Sequence, residues 1–146
     1  MATLEDIANA VIKGNVGKTM KLTQELIDEK EVAPLDIINN GLIAGMNVVG
    51  VRFKNNEMFV PEVMVAAKAM KQGVELVSPL IAAGDMPTAG TVLLGTVKGD
   101  LHDIGKNLVG IMLESSGYKI IDIGIDKSPE EFVNAIKEHQ PDIMGM

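Results

Sequence analysis

The chain has 146 residues and only two histidines, and one of these, His102, lies in the stretch GTVKGDLHDIGKNLVG over residues 95–110. Asp100 precedes it by two positions and Asp103 follows it directly. In an extended loop a carboxylate at that spacing reaches one imidazole nitrogen and leaves the other free. A carboxylate held on the far ring nitrogen is the usual support of a metal-ligating histidine. Gly99 and Gly105 remove side chains where a bulky ligand needs close approach. A solvated loop, with Asp103 merely capping the next helix, accounts for the same residues. Other chemistries fit less well. The glycine spacing is not G-x-G-x-x-G, and Gly105-Lys106-Asn107 lacks the Ser or Thr of a phosphate loop. With no Cys and no second His nearby, a zinc site would have to be completed by carboxylates alone. His139, late in a helix before Pro141, reads as a partner for that helix's C-terminus.

The elements that position this loop follow from the hydrophobic pattern. The apolar run TVLLGTV before it suits a strand covered on both faces, and IGKNLVGIMLESSG after it reads as a helix closing on Gly117. KIIDIGI is a second strand, SPEEFVNAIKEH a helix with Ser128 as N-cap and Pro129 at N1, and DIMGM a third strand. Alternating strands and helices imply a parallel sheet with right-handed crossovers. In such sheets ligands bind beyond the carboxyl ends of the strands, which is where residues 98–103 fall.

Residues 1–83 read differently. Apolar residues recur at helical spacing in LEDIANAVIKG, VGKTMKLTQELIDEK, LDIINNGLIAGMNVVGVRF and VPEVMVAAKAMKQGVELVSPLIAAG. Four such helices with short connections predict an antiparallel bundle. Gly41, Gly45 and Gly50 lower the propensity of the third helix, by about 1 kcal/mol each, and point to close packing or a local break. GDMPTAG, residues 84–90, is the expected linker, which leaves 91–146 as roughly half of a doubly wound domain ending in its third strand. The expected fold class is therefore α + α/β, a four-helix bundle followed by a Rossmann-like or flavodoxin-like parallel sheet that is cut short.

Composition narrows the partners. The formal net charge is −7 and no two Lys or Arg are adjacent, so the basic patch of a nucleic-acid binder is missing. Zero cysteines remove disulfides, thiolate metal sites and a cysteine nucleophile. The start MATLEDIANA has no basic and apolar leader, and no run of about 18 apolar residues offers a membrane span. A cytoplasmic protein without nucleic-acid or membrane partners is expected.

The string Asp100-x-His102-x-x-Gly105 resembles the signature of cobalamin-binding domains that hold the cofactor with its own base displaced. The longer GTVKGDLHDIGKNLVGIMLESSGYKIIDIG is similar to the corrinoid modules of methyltransferases, and RFKNNEMFVPEVMVAAKAMK to the helical cap preceding them. The resemblance implies a cobalamin or related corrinoid cofactor. It implies His102 as the lower axial ligand of cobalt, Asp100 hydrogen-bonded to the other ring nitrogen, Asp103 and Ile104 beside the cofactor, and Gly105 leaving room for the displaced nucleotide tail. From the cap it implies Phe53, Met58 and Val60, with Phe59 beside them, as an apolar cover; bundle core is the alternative for these four. The family's third strand runs on into a Ser-x-Leu-x-Thr stretch that helps form the tail pocket, and this sequence stops short of it.

The function so implied is a methyl carrier. A substrate-specific methyltransferase loads it, a second methyltransferase unloads it to a thiol or tetrahydrofolate-type acceptor, and a reductive activase maintains it. The carrier itself is a non-catalytic subunit. A cobalamin-dependent sensor, or an excised module of methionine synthase, uses the same residues.

Overall fold

The computed structural model describes residues 2–82 and 85–146; Ala83 and Gly84, where the sequence places the end of the bundle and the start of the linker, lie outside them. The chain forms two compact units, one ending at Pro87 and one spanning Thr88–Met146.

The first unit is helical: α1 (Leu4–Ile12), α2 (Val16–Glu29), α3 (Pro34–Asp36), a π-helical segment (Ile37–Ile43), α4 (Ala44–Lys54) and α5 (Val60–Val77). Its starts are capped by side chains. Thr3 accepts from the Asp6 N–H while Asp6 accepts from that of Thr3, and Asn15 accepts from the Lys18 N–H at 3.0 Å. Such caps pair donors that a helix cannot satisfy internally. The core is aliphatic, with Ile7, Val11, Ile37, Leu42, Val49, Val63 and Val77 fully buried.

The third expected helix is three pieces instead of one. Gly41 and Gly45 account for a close approach and not for a stop, and Gly50 meets nothing within 4 Å. A Cβ on Gly45 would stand 2.7 Å from the Ala8 carbonyl oxygen of α1, so only glycine permits this approach. The π-helical stretch just before it, which buries Ile37, Ile38, Gly41 and Leu42 together, carries the chain onto α1 without ending the helix. The fourth helix stops at Val77 and passes into a 3₁₀ turn over Ser78–Leu80, short of the expected 84. Pro79 has no N–H to continue the ladder, and the Ser78 hydroxyl donates to the Val74 carbonyl at 2.7 Å.

The second unit contains β1 (Gly90–Leu94), α6 (Ile104–Ser115), β2 (Tyr118–Asp122), α7 (Pro129–His139) and β3 (Ile143–Gly145). The strands are parallel in the order β2-β1-β3, with Val92 opposite Ile120 on one side and Ile143 on the other. Val92, Leu93 and Leu94 are buried, and Leu93 packs with Phe132 and Ala135 of α7. The order reverses between β1 and β3, the place where open α/β sheets take their ligands. Both long strands end earlier than the apolar runs suggested. Beyond Leu94 and Asp122 the pairing continues irregularly, with Thr96 N–H on Gly124 O at 2.8 Å and Lys127 N–H on Thr96 O at 2.9 Å.

Candidate functional site

The loop from Gly95 to Asp103 leaves the carboxyl end of β1 and delivers the chain to α6. A turn opens it, in which the Asp100 N–H donates to Val97 O at 3.1 Å. Gly99 has φ +87, as the third position of a type II turn requires. Asp100 then faces back on His102. Its Oδ1 accepts the His102 backbone N–H at 2.9 Å and lies 2.6 Å from the ring Nδ1. The backbone N–H of His102, then its ring, hold the Asp100 carboxyl below its ordinary range. An ionised carboxylate only accepts, so Nδ1 carries the proton and Nε2 is left as a lone-pair donor. Among the described residues Nε2 has no protein partner, and the side chain is 98% exposed.

Residues that the sequence did not single out hold this loop and the strand end beside it. The Thr96 hydroxyl donates to His102 O at 2.9 Å, fixing the histidine backbone from below. Lys106 reaches the Asp122 carboxylate at the end of β2, and also Asn107 Oδ1 at 2.8 Å. Partial burial would raise the Asp122 carboxyl, but Lys106 and the Gly124 N–H outweigh it and hold it low. Asp126 accepts from the Gly99 N–H at 2.8 Å. A Thr directly after a strand glycine is the one signal for Thr96; nothing local marks Lys106 or Asp126, because their partners lie many residues away.

Asp103 occupies the cap position of α6, yet its side chain accepts no backbone N–H and instead takes the Asn107 side chain at 3.1 Å. Ile104 is 84% exposed, and Leu101, Val97 and Val109 are exposed around it. Apolar side chains left open beside a polar pair mark a surface made for contact. A cleft of ≈ 480 Å³ is lined by Thr96, Asp100, His102, Gly105, Lys106 and Val109 among others.

Two observations test whether a corrinoid suits this site. No group of three or more His, Asp or Glu that could hold a metal ion occurs among the described residues. One free imidazole nitrogen would therefore suit only a metal whose remaining ligands arrive with it, as in a macrocycle. A Cβ at Gly105 would meet nothing within 4 Å. The fold itself thus gives no reason for a glycine that costs the helix about 1 kcal/mol, whereas a ligand tail passing there does. The residues fit.

Of the expected cap residues, Phe53 and Val60 are half-buried, Met58 is buried and Phe59 is 67% exposed. Met58 also lines a groove of ≈ 470 Å³ with Arg52, Glu57, Pro61 and Val65 in its own unit. His139 lies in the last turn of α7, as expected, 4.0 Å from Glu138 Oε2.

Residues 3–78 match a family described as a B12 binding domain, and residues 90–146 match a second of the same description. A corrinoid protein of Desulfitobacterium hafniense is 41% identical over 99% of the chain and 68% of its own length. Dimethylamine corrinoid protein 3 of Methanosarcina acetivorans is 41% identical over 98% of the chain and 66% of its own. Among solved structures, the methanol:cobalamin methyltransferase complex of Methanosarcina barkeri contains a chain 34% identical, with TM-score 0.85 over 97% of this chain and 54% of that one. The chain thus spans about two thirds of the curated relatives' length.

Proposed function

The chain belongs to the family of B12-binding corrinoid proteins, and we propose on that footing that it is the methyl-carrying component of a methyltransferase system. Its cofactor is cobalamin or a related corrinoid, whose cobalt, when bound, supplies the atom that takes up and gives up a methyl group. The observation that carries the reading is the Asp100–His102 pair, set at the carboxyl edge of the sheet with Nε2 free.

His102 Nε2 is the proposed axial ligand. Asp100 keeps the proton on Nδ1, so that Nε2 presents its lone pair whenever a ligand site is offered. The Asp100 carboxylate stays on Nδ1 at 2.6 Å, and Nε2 is the nitrogen that takes the ligand. The Thr96 hydroxyl holds the His102 backbone carbonyl. Asp103 and Ile104 form the rim against the cofactor, and Gly105 leaves the passage for its tail. By family resemblance, Phe53, Met58 and Val60 of the helical unit are candidate cofactor-binding residues.

The partners follow from the chemistry of a carrier. It needs a methyltransferase to load it, a second to unload it to a thiol or tetrahydrofolate-type acceptor, and a reductive activase. Relatives named for dimethylamine and a neighbour in a methanol methyltransferase complex support a small methylated compound as donor. Absorbance spectroscopy after incubation with hydroxocobalamin and desalting tests the reading. The chain should retain corrinoid with a histidine-ligated spectrum, and His102→Ala should lose that spectrum. Asp100→Asn should bind roughly 10- to 100-fold more weakly, the usual loss for a partner behind a metal ligand. Identical spectra for the chain and His102→Ala would sink it.

A further inference from the structure

Between β2 and α7 the chain makes a tight excursion over Gly124–Lys127, and Asp126 lies there in the left-handed region at φ +53. A non-glycine residue holds that conformation only when its surroundings fix it. Here the fixing contacts run to the histidine loop. Asp126 Oδ1 accepts the Gly99 N–H at 2.8 Å, and the Asp126 N–H donates to Asp100 O at 3.2 Å. On either side of it, Gly124 O takes the Thr96 N–H and the Lys127 N–H reaches Thr96 O. Asp126 is thus the residue outside the loop that grips the Gly99–Asp100 segment at its two ends, at the N–H that enters it and the carbonyl that leaves it.

The course of that segment decides where the Asp100 carboxylate points. Asp100 Oδ1 serves two donors of His102 at once, the backbone N–H and the ring. A change in the backbone of Gly99 and Asp100 would take the carboxylate from both. We propose that Asp126 is a positioning residue for His102: it locks the two-residue segment Gly99–Asp100 at both ends, so that Asp100 keeps the imidazole proton on Nδ1 and Nε2 is presented as the ligand. The importance of Nε2 rests on the corrinoid reading above; the lock itself is a property of the protein alone.

The test separates the two. In the full chain without cofactor, ¹⁵N-resolved NMR reports the Gly99 amide shift and the tautomer of His102. Asp126→Gly keeps the left-handed backbone and its N–H while removing only the carboxylate, so it should fold. It should move the Gly99 amide upfield and raise the Nε2–H tautomer roughly three- to tenfold, as expected for loss of one hydrogen bond. Asp126→Asn keeps an acceptor oxygen and tolerates positive φ, and it should restore the tautomer ratio. Unchanged tautomer ratios in Asp126→Gly overturn the proposal, as does a shift that Asp126→Asn fails to reverse. Hydroxocobalamin titrations of the same proteins judge the other reading. If the chain retains no corrinoid, the functional assignment fails, and the tautomer data still decide the lock.

Discussion

At the scale of single residues, the site depends on charges whose partners are far apart in sequence. Asp122 shows how that dependence reads out in pH. Burial opposes its charge, but Lys106 and the Gly124 N–H prevail, so its carboxyl is held low in the folded protein. A depressed carboxyl stabilises the fold above its ordinary value and ceases to do so as pH falls through the depressed one. Asp122→Asn should therefore lower the urea midpoint at about pH 7, and the difference should shrink as pH falls below the ordinary carboxylate range and through the depressed one, flattening the profile. An equal loss at both ends would assign the residue a packing role instead. The Asp100–His102 pair was legible in the sequence because its chemistry is local: a carboxylate two residues from an imidazole can be read without a fold. Lys106 with Asp122, and Gly99 with Asp126, were not legible, since each pair meets only when two strand ends are placed side by side.

At the scale of elements, periodicity gave the helices and strands but not their ends. The apolar runs continue past Leu94 and Asp122, whereas the regular ladder stops there, because the following residues turn to hold the histidine loop. The segmentation of the third helix was invisible for a related reason. Its glycines weaken a helix in isolation, and only the neighbouring helix shows what they gain. Gly45→Ala places a methyl 2.7 Å from backbone of α1, which cannot yield as a side chain can. A loss of about 1–3 kcal/mol is expected in chemical denaturation. Gly50→Ala, which meets nothing within 4 Å, should instead be neutral or stabilising. In α2 the reverse situation holds. Thr23 is fully buried and its hydroxyl has no hydrogen-bond partner among the described residues. Thr23→Val keeps the shape and removes that polar group, so it should stabilise the helical unit by about 1 kcal/mol; a destabilised variant would mean the hydroxyl is satisfied by water.

At the scale of the whole molecule, the two units bury apolar surface very unequally. Buried apolar residues occur in α1, α2, the π-helical segment, α4 and α5 of the first unit. In the second they are Val92, Leu93 and Leu94 of β1 with Phe132 and Ala135 of α7, and β3 leaves Ile143 and Met144 exposed. No helix is long and apolar enough among the described residues to cross a membrane, so this exposed surface is not part of such a span. Local opening follows the density of buried contacts. Amide exchange followed by mass spectrometry should then find β3 opening first, β1 and α6 next, and α5 last. A ligand bound only to the folded state adds protection set by its concentration relative to its dissociation constant, about 2.7 kcal/mol at a hundredfold excess. Hydroxocobalamin at that excess should slow exchange in β1 and α6 by about a hundredfold where opening abolishes the site. His102→Ala should remove most of that slowing while leaving the cofactor-free order intact. The same protection with and without the imidazole would place the binding energy elsewhere on the sheet edge, and uniform exchange across both units would show that they open as one.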